Sequence, residues 1–244
     1  MDGLYPDEGK RLDVIGHLEE IRKRILISLI FISVSTIAAF YFGGMLFEIV
    51  KLPVKDYVKD FVFISPTEAF TAYFKLSLLA GFSLSFPVIL YQVWAFIAPA
   101  FSGKMKMRLG LWLMLSFLLF MAGILFAYFL AVPAALRFLL SFGSEISVPM
   151  ISIGKYISFF GAMILIGGIV FEIPIVISIV VDMGFIDTKT LRSKRALAFI
   201  MILALAAAIT PTQDIMNMMI FAVPMYLLYE IGILLGVLIE IRRK

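Results

Sequence analysis

Glu172 is the residue whose chemistry most needs a special setting. It stands inside an apolar run, nine residues before Val181, roughly 13 Å from that end along a helix. A carboxylate facing lipid at such depth costs at least about 2.5 to 3.5 kcal/mol. The side chain therefore belongs in a bundle interior or a wet cavity, or is held neutral. Two uses fit: a functional acid lining a polar recess, or a packing acid hydrogen-bonded to a neighbouring helix. Pro174, two residues on, predicts a kink with freed carbonyls beside it.

A second ionisable group precedes the first apolar run. Glu19, Glu20, Arg22, Lys23 and Arg24 fill the polar positions of a segment in which Val14, Leu18, Ile21 and Ile25 recur at helical spacing. The pattern predicts an amphipathic surface helix with i,i+4 pairs Glu19–Lys23 and Glu20–Arg24. His17 has no Cys or acid cluster at ligand spacing and reads as a surface group. Glu230 lies in the last apolar run, and Asp214 begins that run, where an acid suits a helix N-terminus. The chain has no Cys, no phosphate loop, no zinc-protease motif and no nucleophile elbow. Disulfide, thiolate and nucleotide chemistry thus have no residues to carry them, and neither an enzymatic activity nor a cofactor is expected.

The elements that must position these groups are legible in the composition. Of 244 residues 62% are hydrophobic and 16% charged, with a mean hydropathy of +1.06, against about 25% charged in a soluble domain. Six apolar runs predict an all-α integral membrane protein with spans at about 25–47, 70–98, 109–134, 156–181, 196–211 and 214–237. Residues 1–24 form a lead-in, and the whole of 1–244 reads as one membrane domain. The alternating ten-residue pattern of a β-barrel is absent. The first run is too long for the apolar stretch of a cleaved signal and reads as a retained span.

Cations fall unevenly between these runs. Lys10, Arg11, Arg22, Lys23 and Arg24, then Lys104, Lys106 and Arg108, then Lys189, Arg192, Lys194 and Arg195, and finally Arg242, Arg243 and Lys244 place fifteen of the twenty-one Lys and Arg in one compartment. By the positive-inside rule it is the cytoplasm, with both termini in it. The net charge of +4 records topology and contact with anionic lipid, and nucleic acid is not expected as a partner. Ser65-Pro66-Thr67-Glu68 reads as a capping box opening the second span. Thr210-Pro211-Thr212-Gln213 repeats that grammar in a tight hairpin, whose first arm is about 21 Å of helix against a core of about 30 Å, so local bilayer thinning is expected. Gly232 and Gly236 permit close helix approach.

Several strings in order along nearly the whole chain resemble the TatC family, the multi-spanning subunit of the twin-arginine protein translocase. They are His17-Leu18-Glu19-Glu20-Ile21-Arg22, Pro53, Ser65 to Glu68, the run Phe86 to Ala100, Phe126-Ala127-Tyr128-Phe129 with Pro133, Phe171-Glu172-Ile173-Pro174, and Pro224 to Gly232. The resemblance implies a cupped, glove-like bundle of six transmembrane helices with short fifth and sixth helices and cytoplasmic termini. It implies a receptor for the Arg-Arg motif of signal peptides on folded precursors. It also implies single-span partner subunits of the TatA/TatB type, a homo-oligomer within a larger complex, the cytoplasmic membrane, and transport driven by the proton-motive force.

Carried over by residue, Glu20 resembles the family's signal-binding acid, with Glu19, Arg22 and Phe96 beside it. Glu172 resembles the acid of the intramembrane polar cavity, and Pro53, Tyr128, Pro174, Asp214 and Glu230 match structural or partner positions. Two departures stand out. Met105 occupies the place of the family's second loop acid, within an otherwise basic loop, so Glu19, Asp13 or Asp182 substitutes or Glu20 acts alone. Met218 stands where a Gln often accompanies Asp214. Two competing classes are a proton-coupled solute transporter, for which the halves lack internal similarity, and an assembly scaffold that binds helices but no signal.

Overall fold

The computed structural model describes residues 8–55, 61–97, 109–141, 150–210 and 215–243. Helices dominate because an apolar chain in lipid must satisfy its backbone groups within each segment. Helix α1 (Glu8–Tyr41) carries the polar lead-in and the first apolar run without a break. Its 34 residues make about 51 Å of helix, so the end bearing Glu20 projects past a hydrocarbon core of about 30 Å. The first run does not continue to 47 as one rod. It turns at Phe42 into a separate helix α2 (Gly43–Lys51), where a Cβ on Gly43 would stand 2.7 Å from the Tyr73 ring. A 3-10 turn, Leu52–Val54, follows.

Strand β1 (Phe61–Val62) precedes α3 (Glu68–Ile97), which retains Pro87 within an unbroken helix. The capping-box expectation needs correction. Glu68 opens the helix, its Oε2 accepts the Ile64 N–H at 2.7 Å, and its Oε1 accepts the Gly154 N–H at 2.9 Å together with the Ser152 hydroxyl. The carboxylate thus ties two distant segments, because the unsatisfied N–H groups at another helix start are better donors than a single local one.

The third run forms α4 (Leu109–Phe126), a π-helical turn Ala127–Ala131, and α5 (Val132–Ser141). Val132 donates its N–H to Ala127 O, five residues back. The widened turn makes room for Pro133, which lacks an N–H and would crowd the carbonyl four residues earlier. Strand β2 (Ile151–Ser152) pairs in parallel with β1, Phe61 opposite Ile151 and Val62 opposite Ser152. Helix α6 (Ile153–Val170) then leads to α7 (Ile173–Asp182) across a break at Phe171 and Glu172, as Pro174 predicted.

A short α8 (Thr188–Ser193) precedes α9 (Arg195–Ile209) and α10 (Ile215–Arg243). The expectation of two short final helices holds for α9 alone, with 15 residues or about 22 Å. Helix α10 has 29 residues and remains one rod through Pro224. Among the described residues, five helical segments are long and apolar enough to cross a membrane, and α9 is a shorter apolar helix. The chain is a multi-pass membrane protein.

Close backbone approach joins these rods. A Cβ on Gly123 of α4 would collide with the Gly167 carbonyl of α6. On α10, Gly232 lies against Pro174 and Ile177 and Gly236 against Val181 and Thr188, so the small-residue pair is used within the chain to seat α10 on α7. Phe86 and Phe120 stack at 3.4 Å between centroids, joining α3 to α4.

Candidate functional site

At the projecting end of α1, Glu20 and Arg24 lie one turn apart and meet. Arg24 donates from Nε at 3.0 Å and from one terminal nitrogen at 2.5 Å, both to Glu20 Oε1. That terminal nitrogen also reaches Ala95 O of α3 at 3.0 Å, and the other donates to Gln92 Oε1 at 3.3 Å. Glu20 Oε2 has no partner among the described residues. The two side chains remain 32% and 22% exposed, so the pair is open to an arriving group. Phe96, half-buried at the end of α3, places its ring 5.7 Å from that of His17. A 390 Å³ groove runs from this cluster between α1 and α3, walled by Ile25, Leu29, Ile89 and Val93, with Arg24, Gln92 and Phe96 at one end.

The second site lies at the break between α6 and α7. Glu172 occupies the N-cap position of α7 without capping it by its side chain. Ile175 and Val176 instead donate their N–H groups to the Glu172 carbonyl. Glu172 Oε1 is buried with no hydrogen-bond partner among the described residues, and so are Ser116 Oγ and Trp112 Nε1, one turn apart on α4. The Ser116 hydroxyl is close enough to act on the carboxyl electrostatically. Trp112 stacks on Trp94 of α3 at 6.3 Å, and Trp94 packs with Ile175 of α7. The break thus turns the Glu172 carboxyl toward Ser116 of α4, with Trp112 one turn along that helix.

The family model described as Sec-independent protein translocase protein (TatC) matches residues 16–224. The chain belongs to the TatC family. Among curated relatives, the Sec-independent protein translocase protein TatC of Carboxydothermus hydrogenoformans is 37% identical over 233 residues, covering 96% of each chain. That of Aquifex aeolicus is 40% identical over 232 residues, 93% of this chain and 96% of its own. A crystal structure of the twin arginine translocase receptor TatC superposes with a TM-score of 0.78 at 40% identity, covering 92% of this chain and 99% of that one. A second, in the detergent DDM, gives 0.79 at the same identity over 90% and 99%.

In this TatC chain the remaining sequence-predicted positions scatter. Glu19 and Arg22 are exposed and take no ion pair among the described residues, and the expected Glu19–Lys23 pair is absent there. Met105 and Asp214 lie outside the described residues, as does the side chain of Asp13, and Asp182 ends α7. Pro53 sits in the 3-10 turn after α2, and Tyr128 donates its hydroxyl to Ile49 O at 2.7 Å. Pro174 is buried against Gly232. Glu230 of α10 accepts from Arg195 of α9 at 2.6 Å, holding the short helix to the last one. Sequence reasoning missed Arg24 as part of the site, although its i,i+4 spacing from Glu20 was the available signal. It also missed Arg195, which was counted only as one cation in a cluster.

Proposed function

We propose that this TatC chain is the core and signal-peptide receptor subunit of a twin-arginine translocase in the cytoplasmic membrane. It binds the Arg-Arg motif of folded precursors on its cytoplasmic face, crosses the bilayer six times as one membrane domain, and keeps both termini in the cytoplasm. The observation that carries this reading is the half-exposed Glu20 carboxylate. One of its oxygens already holds a guanidinium and the other is open, beside Phe96 at the projecting end of α1. A carboxylate so placed takes charge-assisted bonds from a guanidinium, worth about 1.5 to 3 kcal/mol each.

Glu172 provides a polar contact inside the membrane for a partner helix of the single-span TatA/TatB type, in a hetero-oligomer energised by the proton-motive force. Its buried oxygen, without a hydrogen-bond partner among the described residues, and the Ser116 hydroxyl facing it support that role. The test is site-specific photo-cross-linking to a twin-Arg precursor from positions 20, 96 and 172. Adducts at 20 and 96 that vanish when the precursor carries Lys-Lys are expected. Equal labelling by both precursors would overturn the receptor reading.

A further inference from the structure

We infer that Arg24 is a built-in competitor for the arginines of an incoming signal, occupying Glu20 until a signal displaces it. The inference rests on the reading of Glu20 as the signal-binding acid. Arg24 is held in two places at once. On one side it takes Glu20 Oε1 through Nε and a terminal nitrogen. On the other it reaches Gln92 Oε1 and the carbonyl of Ala95. Ala95 is two residues from Ile97, the last residue of α3, and the residue four on from it is Pro99, which has no N–H, so this carbonyl lacks its helical donor.

These contacts stand in the way of an incoming guanidinium. A guanidinium engages a carboxylate best through two parallel bonds to its two oxygens, and in Glu20 Oε1 is already occupied. Full engagement therefore requires Arg24 to leave Glu20 and keep only Gln92 and the Ala95 carbonyl. An arginine that replaces it restores the charged bonds on the carboxylate in kind, so a signal binds by exchange. Arg24 thus raises the threshold for a signal by what its own pairing with Glu20 is worth.

The test measures affinities of Arg-Arg and Lys-Lys signal peptides for the full chain in detergent or nanodiscs, in wild type, Glu20→Gln, Arg24→Gln, Arg24→Lys and Gln92→Leu. Thermal unfolding of each variant is followed alongside. With Arg24→Gln both peptides tighten, by up to about five-fold, the scale of a partly exposed ion pair. Arg24→Lys falls between. Gln92→Leu removes an acceptor that draws Arg24 away from Glu20, so both peptides weaken by about two- to three-fold.

Weaker or unchanged binding in Arg24→Gln, or tighter binding in Gln92→Leu, would overturn the inference. If Glu20→Gln still abolishes binding in that case, the receptor reading stands without it. Wild-type affinity in Glu20→Gln would bring down the receptor reading itself. Should Arg24→Gln fail to fold, the sign of the Gln92→Leu effect and the affinity of Arg24→Lys decide the matter.

Discussion

The Tyr128 hydroxyl donates to the Ile49 carbonyl at 2.7 Å across 79 residues of chain. Pro53, four residues after Ile49, has no N–H, so this carbonyl accepts the Leu52 N–H instead and offers its second lone pair to the tyrosine. Tyr156 likewise donates to Val50 O at 2.7 Å. Between them the two tyrosines anchor α2 to the π-helical turn and to α6.

Removing either hydroxyl breaks a bond that ties α2 to another element. Tyr156→Phe, at a buried site, is expected to destabilise the protein by about 1 to 3 kcal/mol, and Tyr128→Phe by about 1 kcal/mol. Thermal unfolding in detergent checks this, followed by fluorescence of Trp94 and Trp112, the two tryptophans of the chain. Equal stability of all three proteins would contradict it.

Glu20→Ala is expected to abolish binding of a twin-Arg peptide, whereas Met105→Ala leaves it nearly unchanged. Glu20 offers a carboxylate and Met105 a thioether, which cannot pair with a guanidinium. Cross-linking yields with a labelled precursor provide the measurement, and similar losses in both variants would refute the assignment.

Glu172 separates stability from function. Its unpartnered oxygen is a standing cost in the isolated chain. Glu172→Leu is therefore expected to raise the unfolding temperature while lowering precursor transport into inverted vesicles, the usual conflict at a functional polar group. A variant both less stable and fully active would show that the carboxyl serves packing instead.

The glycine contacts predict a graded series. Gly123→Val drives a side chain into the Gly167 backbone and should cost at least about 1 to 3 kcal/mol, the usual range for overpacking. Gly232→Val meets Pro174 and Ile177 and should loosen α10 from α7. Gly44→Ala meets nothing within 4 Å and should be neutral or slightly stabilising. Unfolding midpoints of the three, ranked in any other order, would place the helix contacts elsewhere.

Much of this was readable along the chain. Uncharged runs of about twenty residues define rods because a bilayer has a fixed thickness, and a proline two residues past Glu172 announced the break at that residue. The i,i+4 spacing brought Glu20 to Arg24, and Gly232 and Gly236 marked a close approach, because helical periodicity converts sequence distance directly into position on a face. What only the tertiary structure decided are the partners that come from another rod. These are Gln92 and Ala95 for Arg24, Gly154 and Ser152 for Glu68, Ile49 for Tyr128, Arg195 for Glu230, and Ser116 facing Glu172. The reason is physical: a polar group in an apolar bundle bonds to whatever donor or acceptor packing brings within 3 Å, and that depends on helix crossing and rotation, which no local pattern encodes.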